Sequence, residues 1–100
     1  MGGAVGCVQI IEVKTSSFDE LEALHETWLA ETEGKRTVVS ERICRDRDEP
    51  GTYLMIVEFA SHEDALKNND LPETARIAAG MAEIAEAPPV FRNLDVIREV

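Results

Sequence analysis

Apolar and polar positions along the chain follow two periods, one typical of strands and one typical of helices. Residues 6–14 are rich in β-branched side chains, which favours a strand. Over residues 18–32, apolar positions recur every three or four residues and acidic residues lie mostly on the other side, which predicts an amphipathic helix. Ser16 and Ser17 each precede an acidic residue by three positions, the capping-box pattern of a helix start. Gly34 is a typical helix terminator.

The rest of the chain predicts two more strands, a helical region that is broken once, and a last strand. Proline and glycine within residues 48–51 indicate a turn. Ser61 stands three residues before an acid and predicts a helix start, and the polar residues 68–70 interrupt that helix before Pro72 opens another. The strands are predicted at 37–47, 52–59 and 90–100, and the helices begin near residues 61 and 72.

The order β-α-β-β-α-β predicts an α+β fold of the ferredoxin-like class, with an antiparallel sheet whose first and third strands are central. The third strand is apolar at both parities over residues 53–57, whereas a strand with one wet face should alternate. Both of its faces are therefore expected to be buried. The two crossover helices can cover only one face of the sheet, so we expect an identical chain to cover the other. We predict one domain, residues 1–100, that forms a homodimer.

Charge narrows the choice of partners. Acidic residues number 20 against 10 basic ones, a formal net charge of −10. Nucleic acids and anionic membrane surfaces bind through lysine and arginine, so neither is an expected partner.

No apolar run approaches the roughly 20 residues that a membrane span needs, and a cytoplasmic location is expected. Cys7 and Cys44 lie on strands separated by another strand, too far apart for a disulfide.

Three segments carry a resemblance to a known family: FASHEDA at 59–65, LPET at 71–74 and PVFRNLDV at 89–96. Together with the element order, they resemble the dimeric α/β-barrel superfamily, in particular the antibiotic-biosynthesis-monooxygenase-like proteins. The resemblance implies dimers whose sheets face each other and a pocket between each sheet and its own helices. Some such relatives oxidise polycyclic aromatic phenols to quinones without a metal or flavin, so no cofactor is expected.

Haem-degrading relatives carry an asparagine on the first strand, a tryptophan on the third strand and a histidine on the second helix. Here the first strand offers Cys7 and Gln9, the third strand has no tryptophan, and His62 stands too early, at the helix cap. Haem degradation is therefore disfavoured. The two histidines lie on distant elements and match no metal-ligand spacing, so no metal site is predicted.

Four residues in the helical regions are candidates for chemistry. His25 and Trp28 lie three apart on or beside the face predicted to contact the sheet, where an imidazole could transfer protons and an indole could stack on an aromatic ligand. The alternative is that Trp28 anchors the core and His25 is a boundary residue. Asn68 and Asn69 stand at the helix break, which often borders a ligand site. They could equally serve only to end the helix.

Met55 and Phe91 are predicted pocket or interface residues by position, with core packing as the alternative, and Gln9 on the first strand is a candidate ligand-binding residue. The first functional hypothesis is a cofactor-independent monooxygenase acting on an aromatic or polyketide-like molecule. In it His25 is the base, Trp28 stacks on the substrate, and Asn69 or Gln9 orients it. The second is a non-catalytic, small-ligand-binding or stress-related dimer. The third is a dimerisation domain whose pocket is filled by its own side chains.

Overall fold

One antiparallel sheet of four strands packs its inner face against the helices. The computed structural model describes residues 4–100, so residues 1–3 of the predicted domain lie outside the described part. The strand order is β2-β3-β1-β4, which confirms the ferredoxin-like α+β prediction. The strands are β1 (Cys7–Lys14), β2 (Val38–Arg45), β3 (Thr52–Phe59) and β4 (Val90–Asp95), and the helices are α1 (Phe18–Glu31), α2 (His62–Asn69) and α3 (Pro72–Ile84).

The core lies between the inner face of the sheet and the helices. Along β1, alternate residues from Cys7 to Val13 are buried, and the residues between them are only half-buried. The register places Gln9 opposite Val57 and Ile11 opposite Met55 across the two central strands, so the same parity of β3 also points inward. Leu21 of α1 and Met81 of α3 are buried against this face from the helix side. Burial of these apolar side chains is the main force holding the helices to the sheet.

The helix start predicted at Ser16 or Ser17 is correct in place but wrong in mechanism. Ser17 occupies the position before α1, yet its side chain makes no capping hydrogen bond. The hydroxyl of the buried Thr15 instead accepts a hydrogen bond from the Ser17 backbone N–H at 3.0 Å. At α2 the predicted cap is confirmed, because Ser61 Oγ accepts from the Asp64 backbone N–H at 3.1 Å.

Two strands are shorter than predicted. β4 ends at Asp95 and not at residue 100. Asp95 pairs with Cys7, where β1 begins, and beyond this pair the Val96 N–H donates to the Gly6 carbonyl at 3.0 Å, after which residues 97–100 belong to no strand. β2 ends at Arg45, because the Asp46 carboxylate accepts backbone hydrogen bonds from the turn that follows. The predicted break in the second helical region is confirmed, since α2 ends at Asn69 and α3 begins at Pro72.

The helices cover one face of the sheet and leave the outer face open, as the sequence predicts. The expected burial of β3 on both faces includes a second copy of the chain, and within residues 4–100 of one copy the helices bury the inner face. Leu54 and Ile56, which point outward, are half-buried, and Val90 and Leu94 of β4 are 45% and 43% exposed. We call this surface, made of the outward residues of the four strands, the open face. No helix among the described residues has the length and apolar character needed to cross a membrane.

Candidate functional site

A cavity of about 320 Å³ lies between the inner face of the sheet and the helices. Its walls are largely apolar, with a few polar side chains interspersed. The structure places all seven candidate residues proposed from the sequence around this one cavity: Gln9, His25, Trp28, Met55, Asn68, Asn69 and Phe91. Strand register, helix spacing and the break between α2 and α3 bring them together, although they span 83 positions of the chain, from 9 to 91.

The cavity floor consists of two rows of side chains that run across the strands. The register of the sheet aligns the residues of each row. The first row is polar at both ends and the second is apolar: Glu41, Val57, Gln9 and Asn93, then Met55, Ile11 and Phe91. At about 4.8 Å per strand spacing, the two polar ends of the first row are roughly 14 Å apart. The floor therefore presents hydrogen-bonding groups at two separated points and apolar surface between them.

An imidazole–carboxylate pair forms one end of the cavity. His25 Nε2 on α1 lies 2.9 Å from Glu41 Oε1 on β2, and both side chains are mostly buried, at 13% and 14% exposed. Partial burial weakens solvent screening, so such a pair interacts more strongly than one on the surface. Sequence reasoning missed Glu41. The signal that could have found it is an acidic residue that alternates with two apolar ones, Val39 and Ile43, on the same face of β2.

Trp28 forms the roof beside His25. The two rings have centroids 5.8 Å apart and lie 29° from parallel, a stacked arrangement. The indole Nε1 donates to Thr74 Oγ1 of α3 at 3.0 Å, and the Arg36 guanidinium carbon lies 5.8 Å from the centroid of the indole. This distance is within the range of a cation–π contact. Trp28, 5% exposed, is therefore held both as a core residue and as a cavity wall.

The break between α2 and α3 brings two amides to the cavity, and they differ in burial. Asn68 is 4% exposed, and its Oδ1 has no hydrogen-bond partner within residues 4–100. Asn69 lines the cavity from an exposed position. An unsatisfied buried acceptor costs about 1–3 kcal/mol, which a ligand donor would offset. The geometry therefore makes Asn68 the stronger candidate of the two for direct contact with a ligand.

The far end of the floor is also polar. Gln9, 7% exposed, donates from Nε2 to Asn93 Oδ1 at 3.2 Å. Phe91 is 48% exposed at the same edge of the sheet, although it lines the cavity. Sequence reasoning missed Asn93 and Thr74, whose contacts depend on residues far away in the chain.

Other chemistry-bearing residues lie elsewhere or do not cluster. His62 is exposed at the start of α2 and does not line the cavity. Within residues 4–100, no group of three or more histidine, cysteine, aspartate or glutamate side chains is arranged to hold a metal ion. Cys7 is buried, and both burial and the nearby Asp95 raise the pKa of its thiol. A raised pKa disfavours the nucleophilic thiolate.

No family model matches the sequence, and no curated protein is detectably similar to it in sequence. Solved structures do match over nearly the whole chain. SnoaB, a cofactor-independent oxygenase from Streptomyces nogalater, superposes with a TM-score of 0.78 at 13% identity, covering 97% of this chain and 98% of SnoaB. The chain has the antibiotic biosynthesis monooxygenase fold.

Two further structures with this fold also match over more than nine tenths of the chain. A candidate antibiotic biosynthesis monooxygenase from Caulobacter crescentus gives a TM-score of 0.76 at 17% identity, covering 94% of this chain and 92% of its own. Another such candidate, from Nitrosomonas europaea, gives a TM-score of 0.75 at 12% identity and covers 97% of this chain and 96% of its own. Identities this low establish a common fold only. At the level of architecture, this shared fold confirms the resemblance that the three sequence segments indicated.

Proposed function

We propose that this chain is a cofactor-independent monooxygenase that oxidises an aromatic or polyketide-like molecule in the cavity between sheet and helices. The observation that carries the proposal is the His25–Glu41 pair at one end of a largely apolar cavity of about 320 Å³. A mostly buried imidazole with a carboxylate partner is a suitable general base. The fold shared with SnoaB, a cofactor-independent oxygenase, supports the same reading.

The proposed reaction begins with a carbon acid, for example a methylene group between two aromatic rings. His25 removes one C–H proton, and the carbanion delocalises into the rings. Dioxygen adds to that carbon to give a peroxide, which takes up the proton and then loses water, and the carbon becomes a carbonyl. The balance is CH₂ plus O₂ giving C=O plus H₂O, so the substrate supplies all the electrons. The protein has to supply a base, orientation and a cavity that excludes water.

The other cavity residues fit this scheme. Trp28 offers a ring on which a planar aromatic substrate could stack. Gln9 and Asn69 line the cavity, and in this scheme an amide donor from either would stabilise the negative charge that develops on a substrate oxygen. Met55 and Phe91 supply apolar surface that favours an uncharged ring system over a hydrated ion.

We also propose that the chain acts as a homodimer in which the open faces of two sheets pack together. Val8 and Ile10 of β1 and Leu54 and Ile56 of β3 make the centre of that face apolar, yet none of the four is buried in the single chain. A contiguous apolar surface of this kind is typical of a protein–protein contact. The cavity lies on the opposite side of the sheet, so dimerisation would leave it accessible.

Oxygen uptake with anthrone tests the proposed reaction. The protein should consume oxygen in the presence of anthrone, and ¹⁸O₂ should place one labelled atom in the quinone product, seen by mass spectrometry. His25→Gln should lower the rate by about 100-fold or more, the size expected for loss of a general base. His62→Gln is the matched control and should leave the rate unchanged, because His62 is exposed and outside the cavity. If His25→Gln consumed oxygen as fast as the wild type, His25 would not be the general base.

The second candidate is a non-catalytic dimer that binds a small ligand. The buried Oδ1 of Asn68, which has no hydrogen-bond partner among residues 4–100, favours it, because such an acceptor serves binding whether or not a reaction follows. Native mass spectrometry of the purified protein distinguishes the two. A bound small molecule together with no oxygen uptake on anthrone or related polycyclic phenols supports the binding protein and contradicts the oxygenase.

A further inference from the structure

Glu41 is the charged residue that pairs with the candidate base at 2.9 Å, and no pattern in the sequence assigned it a role. We propose that Glu41 is a positioning residue, which holds the His25 imidazole with its proton on Nε2 and balances the positive charge that His25 gains when it accepts a proton. The kinetic part of this inference rests on the proposed function, whereas the structural part does not.

The first step concerns where the proton lies. A glutamate in its ionised form can only accept hydrogen bonds, so a contact of 2.9 Å between His25 Nε2 and Glu41 Oε1 needs the proton on Nε2. In the neutral ring the other nitrogen, Nδ1, is then the one that can accept a proton. The pair thus determines which nitrogen of His25 is the base.

The second step concerns rigidity. Glu41 belongs to β2 and stands opposite Val57 of β3 in the register, so its backbone is held by the sheet. His25 lies on α1, where its ring also stacks on Trp28. The two partners come from different elements, and each is fixed by contacts of its own. A base held in this way keeps its orientation when substrate enters, which is the condition for efficient proton transfer.

The third step concerns charge. Before reaction, Glu41 in its ionised form carries a negative charge at this end of the cavity, which disfavours a substrate that arrives already as an anion. A neutral carbon acid meets no such repulsion. Once its proton moves to His25, the imidazolium gains a positive charge beside the carboxylate while the carbanion gains a negative one, so the net charge of the site is unchanged. The pair therefore favours a substrate that binds neutral and ionises in place.

Imidazole NMR tests the structural part without turnover. In the ¹⁵N-histidine-labelled, ligand-free protein, His25 should show a downfield Nε2-bound proton protected from exchange with water, and His62→Gln assigns the signal. Glu41→Gln should keep the signal but move it upfield, because the amide oxygen is a neutral acceptor. Glu41→Ala should lose it. An unchanged signal in Glu41→Ala, or a ring protonated only on Nδ1, would overturn the positioning role.

Kinetics on anthrone test the second part. Glu41→Gln should lower kcat by about 10-fold or more while KM stays within about threefold, since the substrate is bound by other residues. Glu41→Asp, which keeps the charge, should recover part of the rate. Glu26→Gln is the matched control, because Glu26 is exposed and adjacent to His25 in the chain, and it should behave as wild type.

The double variant separates the outcomes. If Glu41 acts through His25, Glu41→Gln should slow a His25→Gln protein no further. If Glu41→Gln slows both backgrounds by the same factor, Glu41 acts independently and the inference is wrong. Wild-type protein that shows the NMR signature but no oxygen uptake contradicts the proposed function and leaves the positioning intact. Oxygen uptake without the signature contradicts the positioning alone.

Discussion

The indole Nε1 of Trp28 donates a hydrogen bond to Thr74 Oγ1 across 3.0 Å, which ties α1 to α3 above the cavity. Trp28 is almost fully buried, so its one polar atom needs a partner, and Thr74 provides it. The same ring stacks on His25. Trp28 therefore contributes both to the packing of the two helices and, together with Glu41, to the orientation of the candidate base.

Replacing Thr74 tests this connection. Thr74→Val keeps the shape but leaves the indole N–H without its acceptor, and should lower the free energy of unfolding by about 1–3 kcal/mol. Urea unfolding followed by tryptophan fluorescence measures this directly, since Trp28 is the only tryptophan in the sequence. Thr74→Ser should keep most of the wild-type free energy of unfolding. Thr27→Val, at an exposed position of α1, should change the free energy of unfolding little. An unfolding curve of Thr74→Val that overlays the wild type would contradict the assignment.

Gly6 is a position where the backbone leaves no room for a side chain. A Cβ there would lie 2.5 Å from the Ala60 carbonyl oxygen, while the Gly6 N–H donates to the Phe59 carbonyl at 2.9 Å. Gly6→Ala should therefore destabilise the protein by about 1–3 kcal/mol, as overpacking does. Gly80→Ala is the comparison, because the Cβ there would meet only the mobile end of the Leu24 side chain. In thermal unfolding, the Tm of Gly6→Ala should be well below the Tm of Gly80→Ala. The reverse order would be inconsistent with this geometry.

Acid should weaken the contact between α3 and the segment that follows α1. The Lys35 ammonium donates to Glu73 Oε2 at 2.5 Å and holds the pKa of that carboxyl below its usual range, with a smaller contribution from the Glu73 backbone N–H. Because the pKa is lower in the folded chain, the ionised group stabilises the fold at neutral pH. That contribution is present above the unfolded pKa of about 4.3 and is lost as the pH falls through the folded value.

Glu73→Gln checks the sign of this effect. The variant should be less stable than wild type at pH 7, and the difference should shrink as the pH falls below about 4. Urea unfolding at a series of pH values measures it. Glu63→Gln is the control, because Glu63 and Lys67 lie 3.8 Å apart on the exposed side of α2. A Glu73→Gln difference that grows in acid would contradict the lowered pKa.

The open face provides a test of the dimer. Ile56→Glu places a charge at the centre of that face and should convert a dimer of 11.1 kDa chains into monomers, seen by analytical ultracentrifugation. Leu66→Glu, at a 49% exposed position of α2, adds the same charge away from the open face and should leave the dimer intact. Wild-type protein that sediments as a single chain at micromolar concentration would remove the dimer proposal.

Local signals in the sequence account for most of the elements. β3 was predicted residue for residue, since the turn at Pro50 and Gly51 precedes it and the Ser61 cap follows it. The end of β4 was missed because a strand extends only as far as it pairs with a neighbour, and the pairing of β4 with β1 ends at Asp95 and Cys7. The start of α1 was predicted but its hydrogen bonding was not, because the Ser17 side chain makes no capping hydrogen bond and the Thr15 hydroxyl accepts from the N–H of Ser17 itself.

The candidate site was predicted only where spacing along a single element indicates it. His25 and Trp28 follow from helical spacing, and Asn68 and Asn69 from the break in the second helical region. Glu41, Thr74 and Asn93 were not singled out, because each contacts a residue 16, 46 or 84 positions away. Spacing along one element cannot reveal a partner that another element supplies.

The sequence by itself determined the order and approximate position of the strands and helices and the apolar side of the amphipathic ones, because backbone conformation and amphipathic period are local properties. Only the tertiary structure decided that the polar residues of β1, β2 and β4 meet in one row beneath His25 and Trp28. That row depends on strand order and register, and these follow from the packing of all the elements together.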